Sequence, residues 1–165
     1  EVHVWSKLCH KNVLPFLGVT TKFDQIVSLV SAWMTLGNAH DYVQNIEVDP
    51  RTLVRHYVLH LTTRLNLFQL VGIATGLQYL HSYQPDPIYH GDLKGVNVLI
   101  SDDGCPLLAD FGFSFIVNLS FSMDIEGSRG GTPHWLAPEQ LGSLECIPFA
   151  TAQADVWAFG MTVLV

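Results

Sequence analysis

The chain has 165 residues, 48% of them hydrophobic and 14% charged, with 15 Asp and Glu against 8 Lys and Arg for a formal charge of −7. A chain of this length and apolar content can hide roughly 70% of its unfolded surface, which excludes general disorder, and the acidic balance argues against a nucleic-acid partner. Its apolar runs, such as 26–30, fall far short of the ~20 residues of a membrane helix, and no signal sequence opens the chain. The three cysteines, Cys9, Cys105 and Cys146, are odd in number and widely spaced, as reduced thiols are. A soluble, cytoplasmic protein without a membrane span is expected.

In chain order, Val2, Val4, Trp5 and Leu8 form an apolar helical stripe that begins without a cap. Asn12 to Val19 and Gln25 to Ser31 read as two strands of a hairpin around the polar turn 20–24. Gly37 and Asn38 break the chain before a short helix from Ala39 to Val43. The spacing of Leu67, Leu70, Val71, Ala74, Leu77 and Leu80 predicts an amphipathic helix over 67–81 that buries those residues. Val96 to Ile100 and Pro106 to Ala109 are short strands flanking the turn Ser101-Asp102-Asp103-Gly104. The closing run from Val156 to Val165 is apolar with no stop signal, so both ends read as helices cut in the middle. No repeat of 20 to 50 residues is present.

The chemistry concentrates in His90-Gly91-Asp92-Leu93-Lys94-Gly95-Val96-Asn97, followed 13 residues after Asn97 by Asp110-Phe111-Gly112. An Asp on a loop behind a helix can accept a hydroxyl proton. A Lys two positions on can neutralise a transferring phosphoryl group, and an Asn with a second Asp can hold Mg²⁺ through hard oxygens. The pattern resembles the catalytic core of eukaryotic protein kinases, H-R-D-L-x-x-x-N and then D-F-G. Thr132-Pro133-His134-Trp135-Leu136-Ala137-Pro138-Glu139 resembles the family's substrate-facing loop, and Asp155-Val156-Trp157-Ala158-Phe159-Gly160 its central large-lobe helix. Lys94 with Thr132 resembles serine/threonine-directed members, while Trp135 and Trp157 are similar to the tyrosine-kinase-like branch.

The resemblance implies an α+β bilobal fold, incomplete in this chain: residues 1–31 close the small lobe, 32–38 are the hinge, and 39–165 begin the large lobe. It implies ATP and Mg²⁺, with Mn²⁺ as an alternative ion, and a protein substrate. Asp92 and Lys94 would be catalytic, and Asn97 and Asp110 would hold the metal. Ser31 would be the gatekeeper, Ala32, Trp33 and Met34 would present backbone groups to adenine, and Leu99 would underlie the purine. Glu1 would pair with a phosphate-anchoring lysine. Trp5, Phe16, His90 and Phe111 would stack across the lobes above Asp155, with Gly112, Thr132 and Glu139 in structural or regulatory places. The activity implied is transfer of the γ-phosphoryl of Mg-ATP to protein hydroxyls; the rival is a catalytically inactive, kinase-like remnant that binds proteins.

Three features depart from the pattern. Gly91 replaces the arginine that in most members grips a phosphate on the activation loop, which weakens loop phosphorylation at Ser114, Ser120, Ser122 or Ser128 as an on-switch. No glycine-rich phosphate loop or Val-Ala-Ile-Lys strand occurs, and a complete domain of this type needs about 250 residues, so the chain reads as an interior slice, weakly stable and prone to aggregate if made alone. Val54 to Gln69 interrupts the approach to the long helix; its Val-Arg start and Phe-Gln end are codable as splice-site bases. It reads either as an intron translated in frame or as a genuine loop and helix extension. His56 and His60 within it are four apart, but Tyr57 stands where a zinc hydrolase needs Glu, so a metal-hydrolase site is not expected.

Overall fold

The structure, a computed structural model, describes residues 2–22, 26–44, 65–112, 115–116, 132–142 and 150–164. Helix α1, Val2–Trp5, runs on as a turn in which the N–H groups of Ser6, Lys7 and Leu8 donate back to the chain. Val4, Trp5 and Leu8 are buried, as their spacing predicts. The expected first strand starts late: β1 is Phe16–Thr20 and β2 is Ser28–Ser31, paired antiparallel with an irregularity between Phe16 and Gly18. Pro15 has no N–H to give a ladder. Residues 12–14 instead pair with strand β5, Pro106–Leu108, through Leu14 N to Leu108 O at 2.8 Å and Leu108 N to Asn12 O at 2.9 Å.

Helix α2, Ala39–Gln44, is capped by Asn38, whose side-chain oxygen accepts the Asp41 N–H at 2.9 Å. Helix α3 spans Leu67–His81, the predicted bounds. Its start is a capping box: Asn66 Oδ1 accepts the Gln69 N–H at 3.0 Å and Gln69 Oε1 accepts the Asn66 N–H at 3.1 Å. Residues 65–69, beginning with buried Leu65, are the described end of the segment 54–69. The buried face of α3 differs from the expected stripe. Gln69, Gly72, Ile73, Gly76, Leu77 and Leu80 face the core, whereas Leu67, Val71 and Ala74 are exposed. Apolarity placed Leu77 and Leu80 correctly, and Leu70 packs against the core, but it misassigned Leu67, Val71 and Ala74, because Gly72 and Gly76 are what let the helix lie against the strands.

A Cβ on Gly76 would stand 2.9 Å from both the Asn12 carbonyl oxygen and Leu108 Cδ1. Backbone oxygen cannot step aside as a flexible side chain can. Gly76→Ala should therefore destabilise the full-length protein by about 1–3 kcal/mol, the usual cost of overpacking. Gly160, in helix α5, Ala152–Leu164, has open space around it, so Gly160→Ala should be neutral or gain up to about 1 kcal/mol of helix propensity. Denaturant midpoints at unchanged slope check the pair, and equal midpoints for the two variants would refute the packing account.

Beyond α3 the chain forms β3, Ile88–Tyr89, then a single 3₁₀ turn, Gly95–Asn97, and the hairpin of β4, Val98–Ile100, with β5. Ser101 closes that hairpin's turn by accepting the Cys105 N–H and donating to the Cys105 carbonyl. Strand β6, Phe115–Ile116, pairs antiparallel with β3. A second 3₁₀ turn, Pro133–Trp135, leads into α4, Pro138–Gly142, and α5 is Ala152–Leu164. Small antiparallel sheets beside helices make the fold α+β. Ile73, Leu80, Ile88, Leu93, Ile100 and Phe111 are fully buried between α3, the hairpin and the 90–97 loop, so the core lies directly beneath the residues that bear the chemistry. Val156, Trp157 and Leu164 form an exposed apolar face on α5.

Candidate active site

The loop after β3 carries Asp92, only 6% exposed, with both carboxylate oxygens engaged. Lys94 Nζ donates to Oδ2 at 2.6 Å, and Asn97 Nδ2 donates to the same oxygen at 3.2 Å and to the Asp92 carbonyl at 2.8 Å. The Thr132 hydroxyl donates to Oδ1 at 3.3 Å and accepts from Lys94 Nζ at 2.8 Å. The 3₁₀ turn makes this compact: it folds Asn97 back over the loop, with Asn97 N bonded to Lys94 O at 3.0 Å. The result is a fixed anion with a cation against it, shielded on one side by the loop containing Thr132.

The loop is held from below. Asp155, 1% exposed at the start of α5, accepts the His90 N–H at 2.8 Å on Oδ2 and the Gly91 N–H at 2.9 Å on Oδ1. Gly91 sits at φ 80, a left-handed conformation that glycine adopts without steric cost, and this turns its N–H toward the carboxylate. His81, the last residue of α3, adds a third contact at 2.8 Å from Nε2 to Asp155 Oδ2. Because a carboxylate accepts, that nitrogen carries the proton.

His90 is fully buried and neutral. Its Nε2–H donates to the Ala109 carbonyl at 3.0 Å, and Nδ1 accepts the Asp92 N–H at 3.4 Å. Burial holds its pKa below the ordinary histidine value, against the opposing pull of Asp155, the Ala109 carbonyl, Asp92 and Asp110. His90 meets Phe111 at a ring distance of 5.4 Å; Phe111 meets Trp5 at 6.1 Å, and Trp5 meets Phe16 at 5.2 Å. The four rings thus make one continuous packed column from β1 to the 90–97 loop.

Asp110, next to Phe111, is exposed and lies at φ 62, where a residue with a Cβ is strained. The Ala109 N–H donates to the Asn97 carbonyl at 2.9 Å, which ties this segment to the loop. Gly112 follows, its N–H 3.4 Å from Asp110 Oδ1.

At the other side, Ser31 ends β2 and its hydroxyl donates to the Ala32 carbonyl at 3.4 Å. Trp33 is 87% exposed, and Met34 packs on the core. The connector then runs along β4, with Asn38 bridged to half-buried Leu99 and the Ile100 N–H bonded to the Gly37 carbonyl at 2.8 Å. Glu139 is exposed on α4. Glu1, His56, His60, Cys146 and the serines at 114, 120, 122 and 128 lie outside the described residues.

Two participants escaped sequence reading. His81 is a single histidine at a helix end, and nothing local signals its bond to a carboxylate 74 residues away. Thr162 accepts Trp135 Nε1–H at 3.1 Å, pinning the loop after Thr132 to α5; helical spacing marks Thr162 only as part of an apolar run.

Known proteins resemble this chain along nearly its whole length. The profile of the family described as protein tyrosine and serine/threonine kinase matches residues 1–164. Mitogen-activated protein kinase kinase kinase 2 of Arabidopsis thaliana is 32% identical over 99% of this chain and 22% of its own length. Protein kinase STUNTED of the same plant is 31% identical over 99% of this chain and 24% of its own length. Cytokinesis protein sepH of Emericella nidulans is 32% identical over 99% of this chain and 10% of its own length. The chain spans at most about a quarter of these relatives. Family members use ATP and a divalent metal to phosphorylate proteins, and among the described residues no helix is long and apolar enough to cross a membrane. The chain belongs to the protein tyrosine and serine/threonine kinase family.

Proposed function

We propose that the full-length protein carrying this chain is a cytoplasmic serine/threonine kinase that moves the γ-phosphoryl of ATP to a protein hydroxyl. The observation that carries the reading is the Asp92 carboxylate, clamped by Lys94, Asn97 and Thr132 at the mouth of a buried loop. In the reaction the substrate hydroxyl replaces Thr132 on Oδ1 of Asp92, which orients it and takes its proton. The hydroxyl oxygen bonds to the γ-phosphorus as the bond from that phosphorus to the β,γ-bridging oxygen breaks, and ADP leaves with the electron pair. Lys94 neutralises charge on the transferring group. Thr132 bonded to Lys94 supports a serine or threonine acceptor.

Ala32, Trp33 and Met34 would present backbone groups to adenine beside Ser31, with Leu99 beneath the ring. Residues 1–31, 32–38 and 39–165 would be the end of the small lobe, the hinge and the start of the large lobe. Asn97 and Asp110 suit Mg²⁺ or Mn²⁺: both offer hard oxygens, and because Asn97 spends its amide N–H₂ on Asp92, its carbonyl oxygen is the atom on offer. Such an ion, when bound, neutralises the phosphates; one or two protein oxygens suffice because phosphate and water complete its shell.

Asp110→Asn tests this without breaking the fold, since Asn tolerates positive φ well. For the full-length protein, Mg-ATP at 100 times its Kd should stabilise by about 2.7 kcal/mol. The variant should lose the Mg²⁺-dependent part of that thermal shift. An unchanged Mg²⁺ dependence would remove Asp110 from the metal site.

A further inference from the structure

Residues 7–14 cross from α1 to β1 against the C-terminal part of α3. His10 shapes this loop. Its carbonyl accepts the Val13 N–H at 3.1 Å, and its ring Nδ1 accepts the Asn12 N–H, also at 3.1 Å. The ring stacks on Tyr79 of α3, centroids 4.7 Å apart and planes 12° from parallel. The Tyr79 hydroxyl accepts the Cys9 N–H at 3.0 Å. Tyr83, one turn further along, meets Tyr79 edge-on at 6.0 Å and donates its hydroxyl to the Lys7 carbonyl at 3.3 Å. Three rings and two hydroxyls therefore fasten the loop to α3 and the turn that follows it.

The fastened loop leads straight to the chemistry. Asn12 and Leu14 pair with Leu108, two residues before Asp110, and Leu14 accepts Trp5 Nε1–H at 2.6 Å, which orients the indole that touches Phe111. We propose that His10 is a proton-sensitive positioning residue: its neutral ring splints the turn that sets α1 and β5, which leads to Asp110, in register, and protonation at Nδ1 releases that splint. The link to turnover rests on the kinase reading; the splint itself does not.

A proton on Nδ1 turns an acceptor into a donor and sets two N–H groups face to face. The amide that loses its partner belongs to Asn12, a residue only 2% exposed, where an unpaired donor is costly. Among the described residues, the groups acting on the ring are Lys11 on its own loop and Tyr79 on α3; Cys105, from the β4–β5 turn, contacts the Lys11 carbonyl and the Asn12 side chain instead. The face of Tyr79 favours an imidazolium. Burial, and then the Lys11 charge, outweigh it and hold the ring's pKa below the ordinary histidine value. The sign follows. As pH falls below about 6.5 the unfolded chain binds the proton first, so the stability contributed is complete above that value, declines down to the folded pKa, and levels off beneath it.

His10→Asn isolates the effect, because an Asn side-chain oxygen accepts the N–H two residues on and does not titrate. In the full-length protein, amide hydrogen exchange and the ring proton shifts of His10 are followed together from pH 8 to pH 5. Protection of the Asn12 amide should fall as pH drops from about 6.5 toward the ring's own pKa, by at most about tenfold per pH unit, and level off beneath it. In the variant it should stay flat, and the acid limb of kcat/KM should weaken. His90 titrates in both proteins and cancels in the comparison. Asn12 protection that ignores the His10 titration, or the same slope in His10→Asn, overturns the splint. An inactive protein whose Asn12 protection tracks His10 would sink the kinase reading and leave the splint standing.

Discussion

Asp92→Asn should reduce turnover of the full-length protein by about 10²–10⁴-fold, the range supplied by a positioned proton acceptor. Asn matches the shape of Asp, so the loop should persist: the carbonyl of Asp92 still receives Asn97 Nδ2, and Asp155 still holds the loop from beneath. What disappears is the anion that accepts the hydroxyl proton and pairs with Lys94 at 2.6 Å. Nucleotide affinity, measured by thermal shift with Mg-ATP, should be nearly unchanged, because Asp92 acts on the acceptor hydroxyl. Turnover at the original rate would refute the assignment of Asp92. A loss of turnover accompanied by equal loss of nucleotide binding would instead indicate a collapsed loop.

Asp155→Ala should be the most damaging substitution for stability. It strips the partner from the buried His90 N–H, from the Gly91 N–H and from His81 at once. Each buried donor left unsatisfied costs about 1–3 kcal/mol, so the expected loss is about 3 kcal/mol or more. Asp155→Asn retains one acceptor oxygen and should fall between wild type and Ala. Turnover should decline with stability in both, because the two tethered amides immediately precede Asp92 in the chain. Chemical denaturation of the full-length protein checks the order; an Ala variant as stable as wild type would remove Asp155 as the anchor of the loop.

Much of the fold was legible because its cues are local. α3 follows a helical period closed by a breaker and has the predicted ends, and the turn at 101–104 is written in Ser, Asp and Gly. Reading failed where a partner distant in sequence overrode the local pattern. Residues 12–15 look like a strand, yet Asn12 and Leu14 pair with Leu108, almost 100 positions on, and Pro15 cannot continue a ladder. The buried face of α3 was misjudged because Gly72 and Gly76 carry no apolar side chain to count, although a Cβ at either would collide with Pro106 or Asn12.

By itself, the sequence determined which residues form the reactive loop. Asp92, Lys94 and Asn97 lie within six positions, so one tight turn suffices to gather them around a single carboxylate. Only the tertiary structure decided how that loop is braced. Asp155 stands 65 residues beyond His90, and His81, Tyr79 and His10 reach their partners across separate elements. A buried carboxylate or imidazole acquires its donors from whichever backbone the packing of α5 and α3 brings within 3 Å, and no spacing along the chain encodes that distance.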